Sequence, residues 1–345
     1  MYSIKTRIKN LHKSTVIVDA HNDMPTHINK KRKSGERKVI ERHFLSDIKA
    51  GGVKVIVASI FVSDVSNAYL DAHEQLDALI DDIQESTNHL MLCGNYKDIN
   101  NAIQQDKIAI IPGFEGIEPI EDKLDLLEDF HRRGIRVNGI CWSRKNLASD
   151  GCGYEKNNPK DSCGLTDFGI EIVKESKRLG MLVDLTHISE KGFWDIIQTS
   201  NQPIIASHTN CRSIFDINRN FSDNQIIAIA QKGGVIGING VNCIAAPVER
   251  DQDITVLADH IDHIKKIAGI NAIGIGLDLF PYFDESYHEM TIVQDGHTRF
   301  LRDLIKSYQN LTQLTEILLD RGYTDDDVRK VLGENFMRVF KQIFN

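Results

Sequence analysis

Six side chains in this sequence have the types that hold divalent metal ions or move protons, and each follows a short apolar run. VIVDAHND ends in His21 and Asp23, IAIIPGFEG in Glu115, MLVDLTHIS in His187, PIIASHTN in His208 and AIGIGLDLF in Asp278. Imidazole nitrogen and carboxylate oxygen are borderline-to-hard donors that suit Zn, Mn, Ni or Fe. A carboxylate can also bridge two ions held about 3.5–4 Å apart, the arrangement of two-metal hydrolases. His21 and Asp23 are separated by one residue, so on an extended chain they point to the same side. Taken singly, each residue has a plainer explanation. A histidine after an apolar run is usually satisfied in a core or loop, Glu115 beside Gly116 could end a strand, and Asp278 could cap a helix. Those explanations leave out that all six stand at the same end of their runs.

The elements that must position them are readable as an alternation. Eight apolar runs have the near-continuous hydrophobicity of strands covered on both faces: Val16–Asp19, Val53–Val62, Ile108–Gly113, Val137–Trp142, Met181–Leu185, Pro203–Ser207, Gly234–Asn239 and Ala272–Leu277. Between them lie helix-period segments at Ala68–Glu85, Lys123–Arg133, Thr166–Leu179, Glu190–Thr199, Ser222–Gln231 and Thr255–Ala268. Thr166 and Ser189 supply N-cap chemistry, while Gly134, Gly180 and Gly269 sit where a helix C′ glycine belongs. Strands alternating with helices give a parallel α/β architecture, and eight strands favour a (β/α)8 TIM barrel. The tail, Thr298–Asn345, reads as two or three amphipathic helices outside the barrel, and no composition break divides residues 1–345 into more than one domain. Barrel enzymes build their sites at the C-terminal ends of the strands, so the six side chains converge on one mouth.

Composition narrows the function classes. The 345 residues are 41% hydrophobic and 26% charged, with a formal net charge of −8, which argues against a nucleic-acid partner. The one basic run, Lys30–Lys33 with Arg37 and Lys38, reads as a solvated loop. The N-terminus lacks a signal peptide's apolar stretch and no run is long enough to span a membrane, so a cytoplasmic protein without a membrane partner is expected. Six dispersed cysteines form no CxxC pair and read as free thiols. His260 and His263 fall on a helix of the outer ring, where a solvated surface is the plainer reading. GIGLD at Gly274–Asp278 lacks the third glycine of a dinucleotide fingerprint, and neither a GxSxG nucleophile motif nor a P-loop occurs.

DAHND at Asp19–Asp23, GFEG at Gly113–Gly116, GMLVDLTHIS at Gly180–Ser189, IIASHTN at Ile204–Asn210, RN at Arg219–Asn220 and GIGLD at Gly274–Asp278 resemble, in order, the motifs of the membrane (renal) dipeptidase family. GLTDFG at Gly164–Gly169 and GENFMRVF at Gly333–Phe340 extend the resemblance over nearly the whole chain. It implies a barrel with two zinc ions that hydrolyses dipeptides, including those with a D-residue at the C-terminal position, and a homodimer. It also implies roles: His21 and Asp23 on one zinc, His187 and His208 on the other, Glu115 bridging, Asp278 as the acid/base, and Arg219 gripping the substrate carboxylate. Asn220 and Trp142 would line the substrate site. Two positions depart from the family pattern. Trp142 stands where animal members have a histidine, in a Trp-x-x-x-Asn pattern seen in bacterial relatives, and Phe280 stands where the family has a second aspartate. Two alternatives therefore stay open: another amide or ester hydrolase built on the same metal pair, and a diverged member without hydrolytic activity.

Overall fold

The apolar runs become parallel strands because their backbone polar groups, buried on both faces, have only neighbouring strands to pair with. In a computed structural model, which describes residues 3–154, 163–250, 252–279, 291–294 and 297–344, the central strands are β1 (Ile17–Asn22), β2 (Val53–Phe61), β3 (Leu90–Leu92), β4 (Ile108–Glu115), β5 (Val137–Gly139), β6 (Leu182–Asp184), β7 (Ile205–Thr209), β8 (Val235–Ile238) and β9 (Ile273–Ile275). They pair in the order β1-β2-β4-β5-β6-β7-β8-β9. Just past β9, the Leu277 N–H donates to Asp19 Oδ1 of β1 at 2.9 Å, so the ring is a nearly closed (β/α)8 barrel. Phe280, His288 and residues 155–162 of the Cys152–Cys163 loop lie outside the described residues.

Strand β3 is an addition to the expected eight. It pairs with Ile108–Ile110 of β4, whereas Gly113–Glu115 of β4 pair with β5, so β3 fills the seam where β4 and β5 diverge. Three residues are too short a run to carry a periodic signal. The helices Ala68–Glu85, Glu190–Thr199 and Thr255–Ala268 match their expected bounds. Thr166 Oγ1 accepts from Gly169 N at 3.0 Å and Ser189 Oγ from Gly192 N at 3.2 Å, which completes two of the helix starts. Gly180 ends its helix at φ 69°, the left-handed conformation that favours glycine.

Strand period two divides the core into layers. Val18, Val55, Val57, Ala109, Ile111, Leu182, Ile205 and Val235 pack together inside the barrel, while Ile17, Ile56, Ala58 and Ile110 face the helices. The inner group also contains Phe336, Val339, Phe340 and Ile343. This corrects the expectation of a tail lying wholly outside: its last helix, Asn335–Ile343, plugs the barrel end where strands begin. Gly274 on β9 accommodates it, since a Cβ there would lie 2.2 Å from the Phe336 ring. The tail also starts with a strand, β11 (His297–Phe300), paired antiparallel with β10 (Thr291–Gln294).

Two further expectations change. Lys30–Lys33 close the helix Met24–Lys33, where cations suit the negative helix end, and Arg32 donates to Asp82 and Glu85 instead of lying in a solvated loop. His260 is fully buried: Nε2 donates to Ala245 O at 2.8 Å and Nδ1 accepts from Cys211 N at 3.1 Å. Both ring nitrogens are engaged by the neutral form alone. Among the described residues no helix is long and apolar enough to cross a membrane.

Burial holds the His260 pKa down at about 4. An unfolded histidine protonates near about 6.5, so this group contributes stability above that pH and the contribution is lost as pH falls toward the folded value. Denaturant titrations at pH 7 and pH 5 should show a loss of about 2 kcal/mol from this residue. The variant His260→Gln should lose correspondingly less between the two pH values; an identical loss in the variant would remove His260 as the cause.

Candidate metal centre

Each of the six side chains sits at the C-terminal end of its strand. His21 and His208 lie inside β1 and β7, one residue before the end, and Glu115 is the last residue of β4. Asp23 has already left β1 and stands at the N-cap of the helix Met24–Lys33, so its approach to His21 comes from that turn and not from strand alternation. His187 and Asp278 follow β6 and β9 on turns with φ of 69° and 57°. Histidine and aspartate adopt this left-handed region more often than most residues, at a cost of order 1 kcal/mol that the surrounding structure must offset. The His187 turn is held by Cys152 N, which donates to His187 O at 2.6 Å.

One oxygen, Glu115 Oε1, is the hub. It lies 2.9 Å from His187 Nε2, 3.4 Å from His208 Nε2 and 3.7 Å from His21 Nε2. His187 Nε2 and His208 Nε2 are 3.1 Å apart. On the other side, His21 Nε2 is 3.2 Å from Asp23 Oδ1 and 3.8 Å from Asp278 Oδ1. Donor atoms of His21, Glu115 and His208, and separately of His21, Asp23 and Asp278, lie within 4.8 Å of one another. The two donor sets overlap at His21, and the Glu115 carboxylate, in contact with all three imidazoles, suits a pair of ions sharing a carboxylate.

The electrostatics fit the same occupant. Burial and then the charge of Asp23 push the Glu115 carboxyl well above its usual pKa, and burial raises Asp278 as well. Burial pulls His21 down, but Asp23 and Glu115 outweigh it and hold its pKa at about 10. Burial keeps His187 and His208 well below the usual range, so these imidazoles are neutral, the form that binds metal. His21 Nε2 and Asp23 Oδ1 are buried without a hydrogen-bond partner despite their proximity. Orphaned donor atoms of metal-binding type, buried and facing one another, fit divalent cations.

Arg219 is the largest fully buried side chain described. Its Nη2 donates to His208 O at 2.9 Å and lies 3.1 Å from His187 Nε2, while Nε and Nη1 have no partner and no described carboxylate pairs with it. A buried guanidinium with two open donors is costly unless an anion completes it. Asn220 stands behind it, with Nδ2 donating to Phe215 O and Ile244 O at 2.9 Å each. Asn220 Oδ1 is buried with no hydrogen-bond partner.

Above the centre is a cavity of about 450 Å³, with Asp23, Glu115, His187 and Asp278 on its floor and Phe61, Trp142 and Ile244 among its walls. The Trp142 ring lies 5.9 Å from the His187 ring and 5.1 Å from Phe61, and the Arg144 guanidinium packs 5.4 Å over it. Asn146 folds the loop that carries Trp142, donating to Ile140 O and accepting from Ala148 N and Ser149 N. Sequence reasoning missed the hydroxyls behind the imidazoles, Ser59, Ser143 and Ser207. Ser207 adjoins His208 and was within reach of the motif, whereas Ser59 is 38 residues from His21 and carried no local signal.

Known proteins share this plan. The sequence profile described as "Membrane dipeptidase (Peptidase family M19)" matches residues 5–345. An uncharacterised protein in the pqqA 5′ region of Klebsiella pneumoniae is 30% identical over 275 residues, 79% of this chain and 95% of that one. Among solved structures, an amidohydrolase from Pseudomonas aeruginosa is 26% identical with a TM-score of 0.79, covering 98% of this chain and 99% of its own. A metallo peptidase from Rhodobacter sphaeroides, liganded with a phosphinate mimic of the dipeptide L-Ala-D-Ala, has the same fold at 22% identity and a TM-score of 0.81, covering 96% of this chain and 100% of its own. With the profile spanning nearly every residue and the donor set converging at the barrel mouth, the chain belongs to the membrane dipeptidase family, peptidase family M19, and is a metalloenzyme that hydrolyses dipeptides.

Proposed function

We propose that the enzyme works with two zinc ions, held by His21 and Asp23 on one side and His187 and His208 on the other, with Glu115 between them. The observation that carries this reading is the Glu115 Oε1 hub, within 3.7 Å of all three imidazoles. Ions bound there supply a Lewis acid for the scissile carbonyl and lower the pKa of a water molecule to about 7.

The chain's own groups do the rest. Asp278 Oδ2 is occupied by Asn239 Nδ2 at 3.0 Å, which leaves Oδ1 facing the centre. Oδ1 takes a proton from the attacking water and delivers it to the leaving amine, a role suited to a carboxyl whose pKa burial has raised. Arg219, whose Nε and Nη1 are without partners, offers its buried positive charge and an open N–H group to the substrate's C-terminal carboxylate, which fixes the substrate end. Such a grip favours chains ending at the second residue. Trp142 and Phe61 exclude water from one side of the cavity. A D-residue at the C-terminal position is included in the proposed substrate range, in line with the ligand of the Rhodobacter sphaeroides relative.

Elemental analysis of the purified protein should find two zinc ions per chain, and chelation should abolish hydrolysis of a panel of L–L and L–D dipeptides. Full turnover after chelation would overturn the reading. Asp278→Asn should lower kcat by at least about 10² while metal content stays at two; unchanged kcat would remove the proton-transfer role. Arg219→Met should raise KM by at least about tenfold with a smaller effect on kcat, and an unaltered KM would eliminate the carboxylate grip.

A further inference from the structure

The three imidazoles of the centre have one feature in common on the side away from it: each Nδ1 meets a serine hydroxyl. Ser59 Oγ lies 3.1 Å from His21 Nδ1, Ser143 Oγ 2.7 Å from His187 Nδ1, and Ser207 Oγ 2.8 Å from His208 Nδ1. A hydroxyl can donate or accept, so alone it does not decide which ring nitrogen carries the hydrogen. The three serines differ in what lies behind them.

Behind Ser207 stands Asp184, buried at the end of β6. Its Oδ1 accepts from Thr186 Oγ1 at 2.7 Å, Thr186 N at 3.0 Å and Ser207 N at 2.9 Å. Its Oδ2 accepts from Ser207 Oγ. Four donors converge on the Asp184 carboxylate, the strongest acceptor in reach, so the one hydroxyl hydrogen of Ser207 is committed to it. Only lone pairs of Ser207 Oγ then face His208, and Nδ1 must be the donor. Nε2, 3.4 Å from Glu115 Oε1, is left bare toward the centre. Among the described residues, Ser59 and Ser143 donate to no carboxylate.

We propose that Asp184 and Ser207 are positioning residues that lock His208 in its Nδ1–H tautomer and so preset it as a metal ligand. The proposal rests on the reading that the centre holds two metal ions. The chain of commitment runs from Asp184 through Ser207 to His208, and reversing its direction reverses the ring. Asp184→Asn does this with little change of shape. Its oxygen stays with Thr186 and Ser207 N, its NH2 faces Ser207 Oγ, and Ser207 turns to donate to His208 Nδ1. The hydrogen is then forced onto Nε2, the atom the metal needs.

The test is zinc titration of the stripped full-length protein against a chromophoric chelator, beside 15N spectra of histidine-labelled metal-free protein. Wild type should bind two ions and show His208 protonated at Nδ1. Ser207→Ala should weaken one of the two ions by about 10–100-fold and leave the other within about twofold. Asp184→Asn should weaken the same ion more than Ser207→Ala does, and Ser207→Thr, which keeps the hydroxyl, should restore wild-type binding. Wild-type affinities in both Ser207→Ala and Asp184→Asn would overturn the proposal. So would a wild-type His208 that carries its hydrogen on Nε2, a result obtainable even where a variant does not fold. A wild type that binds no zinc while showing the Nδ1–H tautomer would instead sink the two-metal reading and leave the relay standing.

Discussion

Three carboxylates and three imidazoles converge on one centre, with Glu115 Oε1 within 3.7 Å of all three imidazoles, and the like charges of Asp23, Glu115 and Asp278 there favour a cation among them. Burial removes the solvent that would otherwise screen Asp23, Glu115 and Asp278, and raises the carboxyl pKa of Glu115 and Asp278 in response. His21 absorbs part of that negative charge, but His187 and His208 stay neutral. The arrangement is therefore destabilising as protein alone, and divalent ions resolve it. Residues elsewhere in the fold act to keep this unfavourable cluster from relaxing.

The barrel supplies that restraint at both ends. At the mouth, Asp19 joins the first and last strands: Oδ1 accepts from Leu277 N, and Oδ2 accepts from Tyr308 Oη at 2.5 Å, whose oxygen in turn takes Asn22 Nδ2 at 3.0 Å. His21 and Asp278 flank this junction in sequence, so the same contacts fix their separation. At the opposite end Phe336 and Phe340 pack among the inward-facing residues of the strands. The aromatic plug and the polar junction thus hold the two ends of one nearly closed barrel.

Much of this was legible in the chain because the signals were local. Apolar runs followed by His, Asp or Glu gave both the strand and the side chain that joins the cluster at its end, and the Ala68–Glu85 and Thr255–Ala268 helices could be bounded from periodicity. What escaped reading was non-local. Strand β3 exists through its pairing with β4 and not through its own three residues. His260 sits on an amphipathic helix whose polar face would be solvated in isolation; the segments of Cys211 and Ala245 packed on it make that position interior. The tail helix looked like a surface helix because amphipathicity does not say what its apolar face will meet, here the bottom of the barrel. The roles of Ser59 and Ser143 depend on partners 38 and 44 residues away.

The ligand positions also divide by how firmly the backbone holds them. Glu115 and His208 project from strands paired on both sides, and His21 from β1, which is paired with β2 and tied through Asp19 to Leu277 just past β9. His187 and Asp278 come from left-handed turns beyond their strands, a conformation that stores strain and is kept by a few specific contacts. Those two are also on the cavity floor, where a substrate would lie. Asp278 presents Oδ1 to the centre, and His187 sits against both Glu115 and Arg219. Of the six side chains, His21, Glu115 and His208 thus stand on the sheet, while Asp23, His187 and Asp278 reach the same centre from turns just beyond it.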